Sequence, residues 1–156
     1  MIVVTSCQMK TKTVAFDPAA TKAEVNKTLD SIDAAFKAKD AKAFLSFFTE
    51  DGLYCGTDPS ELWDKAAYSK TITAMMAADT TKSSDSMKVE KQEILINNEN
   101  SAISLRQLMT GWSKPIMVRN TMHLVKTDNR WRIDFSNFAF IPENKDIPKL
   151  SAALSK

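Results

Sequence analysis

The chain has 156 residues, a net charge of +2 and 26% charged side chains, which is ordinary for one globular domain with its own core. Its 21 Lys and Arg residues are interspersed with 19 Asp and Glu residues, so the sequence predicts no nucleic-acid surface, where basic residues would cluster. One His and two Cys predict neither a metal site nor a disulfide framework, and we expect no cofactor. No apolar run approaches the roughly 20 residues that span a bilayer.

The N-terminal residues resemble a bacterial lipobox, in which small and apolar residues precede the cysteine that receives lipid. The apolar stretch before Cys7 is too short for a secretion signal if Met1 is the true start. If the gene begins upstream, Cys7 is the lipid-anchor candidate and residues 1–20 are a flexible tether. The protein would then be a periplasmic or outer-membrane-anchored lipoprotein, in contact with a membrane only through that anchor. Otherwise it is cytoplasmic.

The next part of the chain has the pattern of three helices. The sequence from Thr21 to Glu24 matches a capping box and predicts a long helix from about Lys22 to Lys39, with apolar residues at helical spacing. Asp40 predicts the N-cap of a short second helix, which ends at Asp51-Gly52. A short strand at residues 53–55 follows.

A third helix is predicted between this strand and the later part of the chain. Asp58 is suited to its N-cap and Pro59 to its first position, and the helical pattern fades near Ala78. A terminal helix is a further prediction, at residues 145–155.

From residue 88 onward the pattern changes to strands. Strands are predicted at 88–96 and 101–110, and a hairpin at 117–140 turns on Asp128-Asn129, since both residues tolerate left-handed angles. Helices followed by a meander of strands indicate an α+β fold, an antiparallel sheet packed on a long N-terminal helix and two shorter helices. We expect one domain at 21–142 and a tail at 143–156, helical if the terminal helix forms.

The hairpin pattern predicts its own register. The predicted opposite pairs on its apolar face are Lys126 with Trp131, Leu124 with Ile133, Met122 with Phe135, and Asn120 with Asn137. The other face would pair His123 with Asp134. Asn120 and Asn137 would therefore lie side by side at the end of the apolar face.

Three stretches carry a resemblance to a known family. They are residues 44–51, the run G-T-D-P-S-E-L-W at 56–63, and R-N-T at 119–121 with W-R-I at 131–133. They resemble the SnoaL-like families of the nuclear transport factor 2-like superfamily, which include ketosteroid isomerases, polyketide cyclases, dehydratases and a kinase assembly domain. The resemblance implies a cone of curved sheet closed by helices, and a homodimer through the outer sheet face. Some branches have a histidine where this chain has Asn137.

The ligand-contact candidates are the two asparagines, Asn120 and Asn137, and residues near the mouth of the cone. Amides on an apolar face either orient a ligand or bond each other and complete the core. Tyr54 and Trp63 would flank the loop that closes the mouth, although core packing is the plainer role for each. Trp112 would lie at a pocket rim or a dimer contact. Alternation turns Arg106 outward, unless curvature brings it in to bind a carboxylate.

His123 and Asp134 are the candidate acid–base dyad, since a carboxylate orients an imidazole and raises its basicity. Their parity puts them on the outer face, which favours an interface or surface ion pair. The leading hypothesis is therefore binding of a small apolar or aromatic molecule in the cone. An isomerase, cyclase or dehydratase that moves a proton next to a carbonyl is the alternative, and a homo-oligomeric assembly module is the third.

Overall fold

The computed structural model describes residues 15–78 and 87–155. Its helices are α1 (Pro18–Lys37), α2 (Ala41–Leu45), α3 (Lys65–Ala78) and α4 (Ile147–Leu154), the last preceded by a 3₁₀ turn at Asn144–Asp146. Its strands are β1 (Phe48–Cys55), β2 (Leu62–Trp63), β3 (Lys88–Asn98), β4 (Ser101–Met109), β5 (Met117–Thr127) and β6 (Arg130–Ile141). Within the described ranges, no helix is both long and apolar enough to span a bilayer.

The strands form one curved, unclosed sheet in the order β2-β1-β6-β5-β4-β3. Strands β3 to β6 are the predicted antiparallel meander, whereas β1 pairs in parallel with β6. Helix α1 buries Val25, Leu29 and Ile32 against the inner face of this sheet, as the helical spacing predicts. The predicted α+β cone is therefore confirmed.

Helix α1 begins four residues before the predicted position. The side chain of Asp17 accepts hydrogen bonds from the backbone amides of Ala19 and Ala20, and Pro18 fits the first turn because its missing N–H would be unpaired there. Thr21 is buried within the helix, and its hydroxyl bonds the carbonyl of Asp17. The predicted capping box at Thr21 is therefore wrong by one helical turn.

The residues around β1 show one correct cap and two shifted boundaries. Asp40 caps α2 as predicted. The chain becomes a strand at Phe48, although the helical prediction ran on to Gly52. Asp58 does not cap α3: it holds a turn by accepting from the amide and hydroxyl of Ser60, and Asp64 caps the helix instead. The Asp58 carboxylate therefore stabilises this turn and not the first turn of α3.

The turn of the β5–β6 hairpin lies where it was predicted, but the strand register changes four pairs away from the turn. Asp128 and Asn129 both have positive φ, and Leu124 faces Ile133 as expected. A β-bulge then inserts Asp134, so that Met122 faces Ser136 rather than Phe135. Because one extra residue exchanges the faces of all residues after it, Phe135 lies on the outer side and Ser136 on the inner side.

Glu24 joins α1 to the hairpin and gives the fold a pH-dependent contact. Its carboxylate accepts hydrogen bonds from Lys126 Nζ at 2.6 Å and Trp131 Nε1 at 3.1 Å. These bonds hold the pKa of Glu24 below its ordinary value of 4.5. Since the folded state has the lower pKa, the contact contributes stability above about pH 4.5, and that stability is lost as the pH falls through the folded value.

We therefore expect Glu24→Gln to lower the urea midpoint at pH 7, and we expect this deficit to shrink at pH 3. The loss will be modest, because the pair is partly exposed and screened by solvent. Glu99→Gln, in the exposed β3–β4 turn, is the control and should leave the midpoint unchanged. An equal deficit of Glu24→Gln at both pH values would contradict the assignment.

Candidate ligand-binding site

Four buried polar residues cross the inner face of the sheet, and we call them the inner polar stripe. They are Ser104 and Arg106 on β4, Asn120 on β5 and Ser136 on β6, exposed by 0%, 4%, 2% and 3%. Arg106 pairs with Asn120 and Met122 with Ser136 in the strand registers. The stripe therefore occupies adjacent rows of the sheet beneath α1.

Arg106 is the charged member of the stripe, and Asp33 of α1 balances it. The Nη1 atom donates to Asp33 Oδ1 at 2.9 Å, and Nη2 donates to Asp33 Oδ2. Such a two-point pair fixes the plane of the guanidinium. The prediction that alternation turns Arg106 outward is wrong: the inward residues of β4 are Ala102, Ser104, Arg106 and Leu108, and the apolar Leu105 is the outward, exposed neighbour.

Asn120 is held by β6, but not by the predicted partner. Its Nδ2 donates to Ser136 Oγ at 3.2 Å and to the backbone oxygen of Asn137 at 3.3 Å. The bulge at Asp134 pairs Asn137 with Thr121 and Asn120 with Phe138. The predicted side-by-side asparagines are therefore wrong, because alternation places the Asn137 side chain on the face opposite Ser136.

Two atoms of the stripe have no hydrogen-bond partner among the described residues. They are Ser104 Oγ and Arg106 Nε, and both are buried. Leaving a buried polar group unpaired costs roughly 1–3 kcal/mol, so such groups call for a partner. The two residues lie two positions apart on one strand, so they share a face, and both can donate to an oxygen atom.

Tyr54 lies in the core rather than at a mouth. It is 0% exposed, its ring stacks on Tyr68 at 4.7 Å, and its hydroxyl donates to the carbonyl of Thr49 at 2.7 Å and contacts that of Ile133 at 3.2 Å. Burial raises the pKa of both tyrosines, so neither is poised to exchange a proton.

The two tryptophan candidates lie on different parts of the molecule. Trp63 is half-buried on β2 and packs beside Tyr68. Trp112 is 58% exposed after β4 and meets Phe140 edge-on at 5.8 Å. Among the described residues, no ring contact or hydrogen bond joins either tryptophan to the inner polar stripe.

His123 and Asp134 contact each other on the outer face of the sheet. His123 Nδ1 lies 2.6 Å from Asp134 Oδ1, although the Cα partner of His123 is Phe135. His123 and the stripe residue Asn120 have opposite parity on β5, so this dyad cannot reach a ligand at the stripe. The homodimer through this face stays a prediction.

Cys7 lies outside the described residues, so the lipid anchor also stays a prediction.

Asp33, Ser104 and Ser136 are site residues that sequence reasoning missed. Alternation along β4 places Ser104 inward, but the two outward residues next to it are apolar, so the outward face resembled the inner one in the sequence. Ser136 faces inward because of the bulge in β6, and Asp33 reaches Arg106 because of the way α1 packs on the sheet. Neither feature can be read from the sequence pattern. Over residues 15–78 and 87–155, no group of three His, Cys, Asp or Glu side chains could hold a metal ion.

A curved sheet closed by an N-terminal helix, with polar residues on its inner face, defines an α+β cone of the nuclear transport factor 2-like type. The chain belongs to the SnoaL-like domain family, whose sequence profile matches residues 25–141. The family and fold support a ligand-binding or isomerase-type domain. No curated protein matches the sequence.

Solved structures share the fold at low sequence identity. A nuclear transport factor 2-like protein of unknown function from Pseudomonas putida is 13% identical, with TM-score 0.66 over 84% of this chain and 93% of its own. A cystatin-like fold protein from Burkholderia xenovorans is 15% identical, with TM-score 0.64 over 81% and 95%. A protein provisionally assigned as a scytalone dehydratase from Novosphingobium aromaticivorans is 12% identical, with TM-score 0.63 over 80% and 86%. At these identities the likeness concerns the fold alone.

Proposed function

We propose that this SnoaL-like domain binds a small, mostly apolar molecule that carries an oxygen acceptor, inside the cone at the inner polar stripe. The observation that carries the proposal is the pair of buried atoms without partners, Ser104 Oγ and Arg106 Nε. A carbonyl or hydroxyl oxygen of a ligand at the stripe would give either atom its missing partner. The hydrophobic core of the cone, which includes Leu29, Ile72 and Met122, favours an apolar body on the ligand.

The closed interior sets the mode of entry. Arg106 and Asn120 are 4% and 2% exposed, so the ligand must displace core side chains or move α1 to reach the stripe. Met76 and Met122, which are unbranched and adaptable, lie in the same core. We therefore expect binding that is slow compared with that of an open cleft.

An isomerase-type activity is the alternative, and the solved structure provisionally assigned as a scytalone dehydratase motivates it. Such an activity needs a base next to the ligand. Asp33 is the carboxylate bonded to the stripe, and the Arg106 guanidinium holds both of its oxygens. With both oxygens engaged by the guanidinium, Asp33 would have to leave this pair to take a proton from a ligand. The geometry therefore favours binding over proton transfer.

Two probes of matched shape test the proposal: acetophenone, which has a carbonyl oxygen, and ethylbenzene, which lacks it. We expect acetophenone to shift the NMR signals of the Met122 and Leu124 methyl groups and to bind about 10-fold more tightly than ethylbenzene, which is the effect of roughly one hydrogen bond. Arg106→Lys keeps the charge near Asp33 but removes Nε, so it should reduce that preference.

Arg119→Lys is the matched control, since Arg119 is exposed on the neighbouring strand. It should keep the preference for acetophenone. Interior methyl signals that neither probe moves at millimolar concentration, or equal affinity for the two probes in the wild type, would contradict the proposal.

A further inference from the structure

The outer face of the sheet carries a hydrogen-bonded chain of side chains that ligand binding in the cone does not use. His123 joins Asp134 through Nδ1 at 2.6 Å and Ser101 Oγ through Nε2 at 2.9 Å. Because an ionised carboxylate only accepts hydrogen bonds, the neutral imidazole carries its proton on Nδ1, and Nε2 is free to accept the serine proton. The side chains of His123 and Asp134 are 32% and 31% exposed.

This order of groups is that of a nucleophile, its base and the residue that orients the base. We propose that Ser101, His123 and Asp134 form a nucleophilic site that hydrolyses small, uncharged carboxylic esters. The β6 bulge leaves Asp134 in contact with His123 on this face, although Phe135 takes the position opposite the histidine. Bulges are common next to active sites.

Asn97 supplies the donor that such a reaction requires. Its Nδ2 lies 3.0 Å from Ser101 Oγ, at the end of β3. The oxyanion of a tetrahedral intermediate is the oxygen bonded to the carbon that Oγ attacks, so Asn97 Nδ2 has to turn from Oγ toward that oxygen in order to donate to it. Side-chain amides of Asn serve this purpose in other hydrolytic sites.

A surface cleft of about 440 Å³ on the same face adjoins the triad at Asp134. Ser101 and His123 are not part of its wall, so it offers space for the part of the substrate that lies away from the scissile bond. Asp134 and Phe135 line it, as does Val125, which is the β5 partner of Ser101. Leu53 extends its apolar wall, and Asp51 and Asp134 make it acidic. A negatively charged ester would be repelled, whereas a small uncharged acyl or aryl group fits.

The reaction balances with ester and water alone. Ser101 Oγ forms a bond to the ester carbon while its proton passes to His123 Nε2, and the same proton then leaves on the alkoxide as the alcohol departs. Water attacks the acyl-serine and gives a proton to Nε2, and that proton returns to Oγ as the carboxylic acid is released. Asp134 stays ionised and orients the ring.

Two measurements on the full chain test this site. Diisopropyl fluorophosphate should label the wild type at Ser101, as located by peptide mass spectrometry, and p-nitrophenyl acetate should be hydrolysed faster than by buffer. Ser101→Ala should abolish both signals. His123→Ala should lower the hydrolysis rate at least 100-fold, the usual scale for loss of a general base. Ser31→Ala, an exposed serine on α1, should change neither.

Labelling of the wild type decides the matter even if Ser101→Ala fails to fold. An unlabelled Ser101 in the folded wild type overturns the proposal, whether the site is inert or a second copy of the chain covers it. A hydrolysis rate that is the same in wild type and Ser101→Ala also overturns it.

Discussion

Asp33→Ala is expected to lower the free energy of unfolding by about 3 kcal/mol, because it leaves the Arg106 guanidinium buried without its counter-charge. Arg106 is 4% exposed, whereas the Asp33 side chain is 29% exposed. The loss should therefore come mainly from the arginine that remains rather than from the aspartate that is removed. Urea unfolding followed by tryptophan fluorescence measures it.

The double variant Asp33→Ala with Arg106→Met separates the charge from the contact. Replacing a buried ion pair with apolar side chains is often neutral, so we expect the double variant to recover most of the loss. Asp30→Ala, exposed on the same helix, is the control and should change the free energy of unfolding by no more than about 0.5 kcal/mol. An Asp33→Ala protein as stable as that control would mean that Arg106 reaches water.

Gly52→Ala is expected to destabilise the fold by about 3 kcal/mol, the upper end of the range for added atoms in a packed core. A Cβ at Gly52 would lie 2.1 Å from the Tyr54 hydroxyl oxygen and 2.7 Å from the backbone oxygen of Asp134. The backbone oxygen cannot move without shifting β6, and the hydroxyl cannot move without leaving the carbonyls of Thr49 and Ile133.

Gly56→Ala is the matched control for that substitution. Its added Cβ would also meet an oxygen at 2.0 Å, but that oxygen belongs to the half-buried Glu61 side chain, which can rotate away. The Cβ of Glu61, at 2.9 Å, cannot rotate away and needs a small shift. The expected loss is about 1 kcal/mol or less, the scale of the one hydrogen bond that Glu61 gives up. Thermal unfolding of both variants measures the two losses in stability. Equal losses would mean that the backbone of β6 moves as easily as the Glu61 side chain.

Local patterns in the sequence predicted the elements well and their ends less well. The helical spacing from Val25 to Ile32 and the Asp128-Asn129 turn depend on neighbouring residues, so the fold class followed from them. The start of α1 and the role of Asp58 were wrong because each segment contains two residues suited to an N-cap, and the local pattern does not choose between them.

The sequence by itself determined an α+β cone of the SnoaL-like family, a hairpin with its turn, and the His123–Asp134 contact on the outer face. Only the tertiary structure decided which side chains form the inner polar stripe. A single inserted residue at Asp134 exchanged the faces of β6 beyond it and put Ser136 on the inner face in place of Asn137. Register in a sheet depends on contacts between strands, and the pairing of Arg106 with Asp33 depends on how a helix lies across it. Neither is encoded in the spacing of one strand.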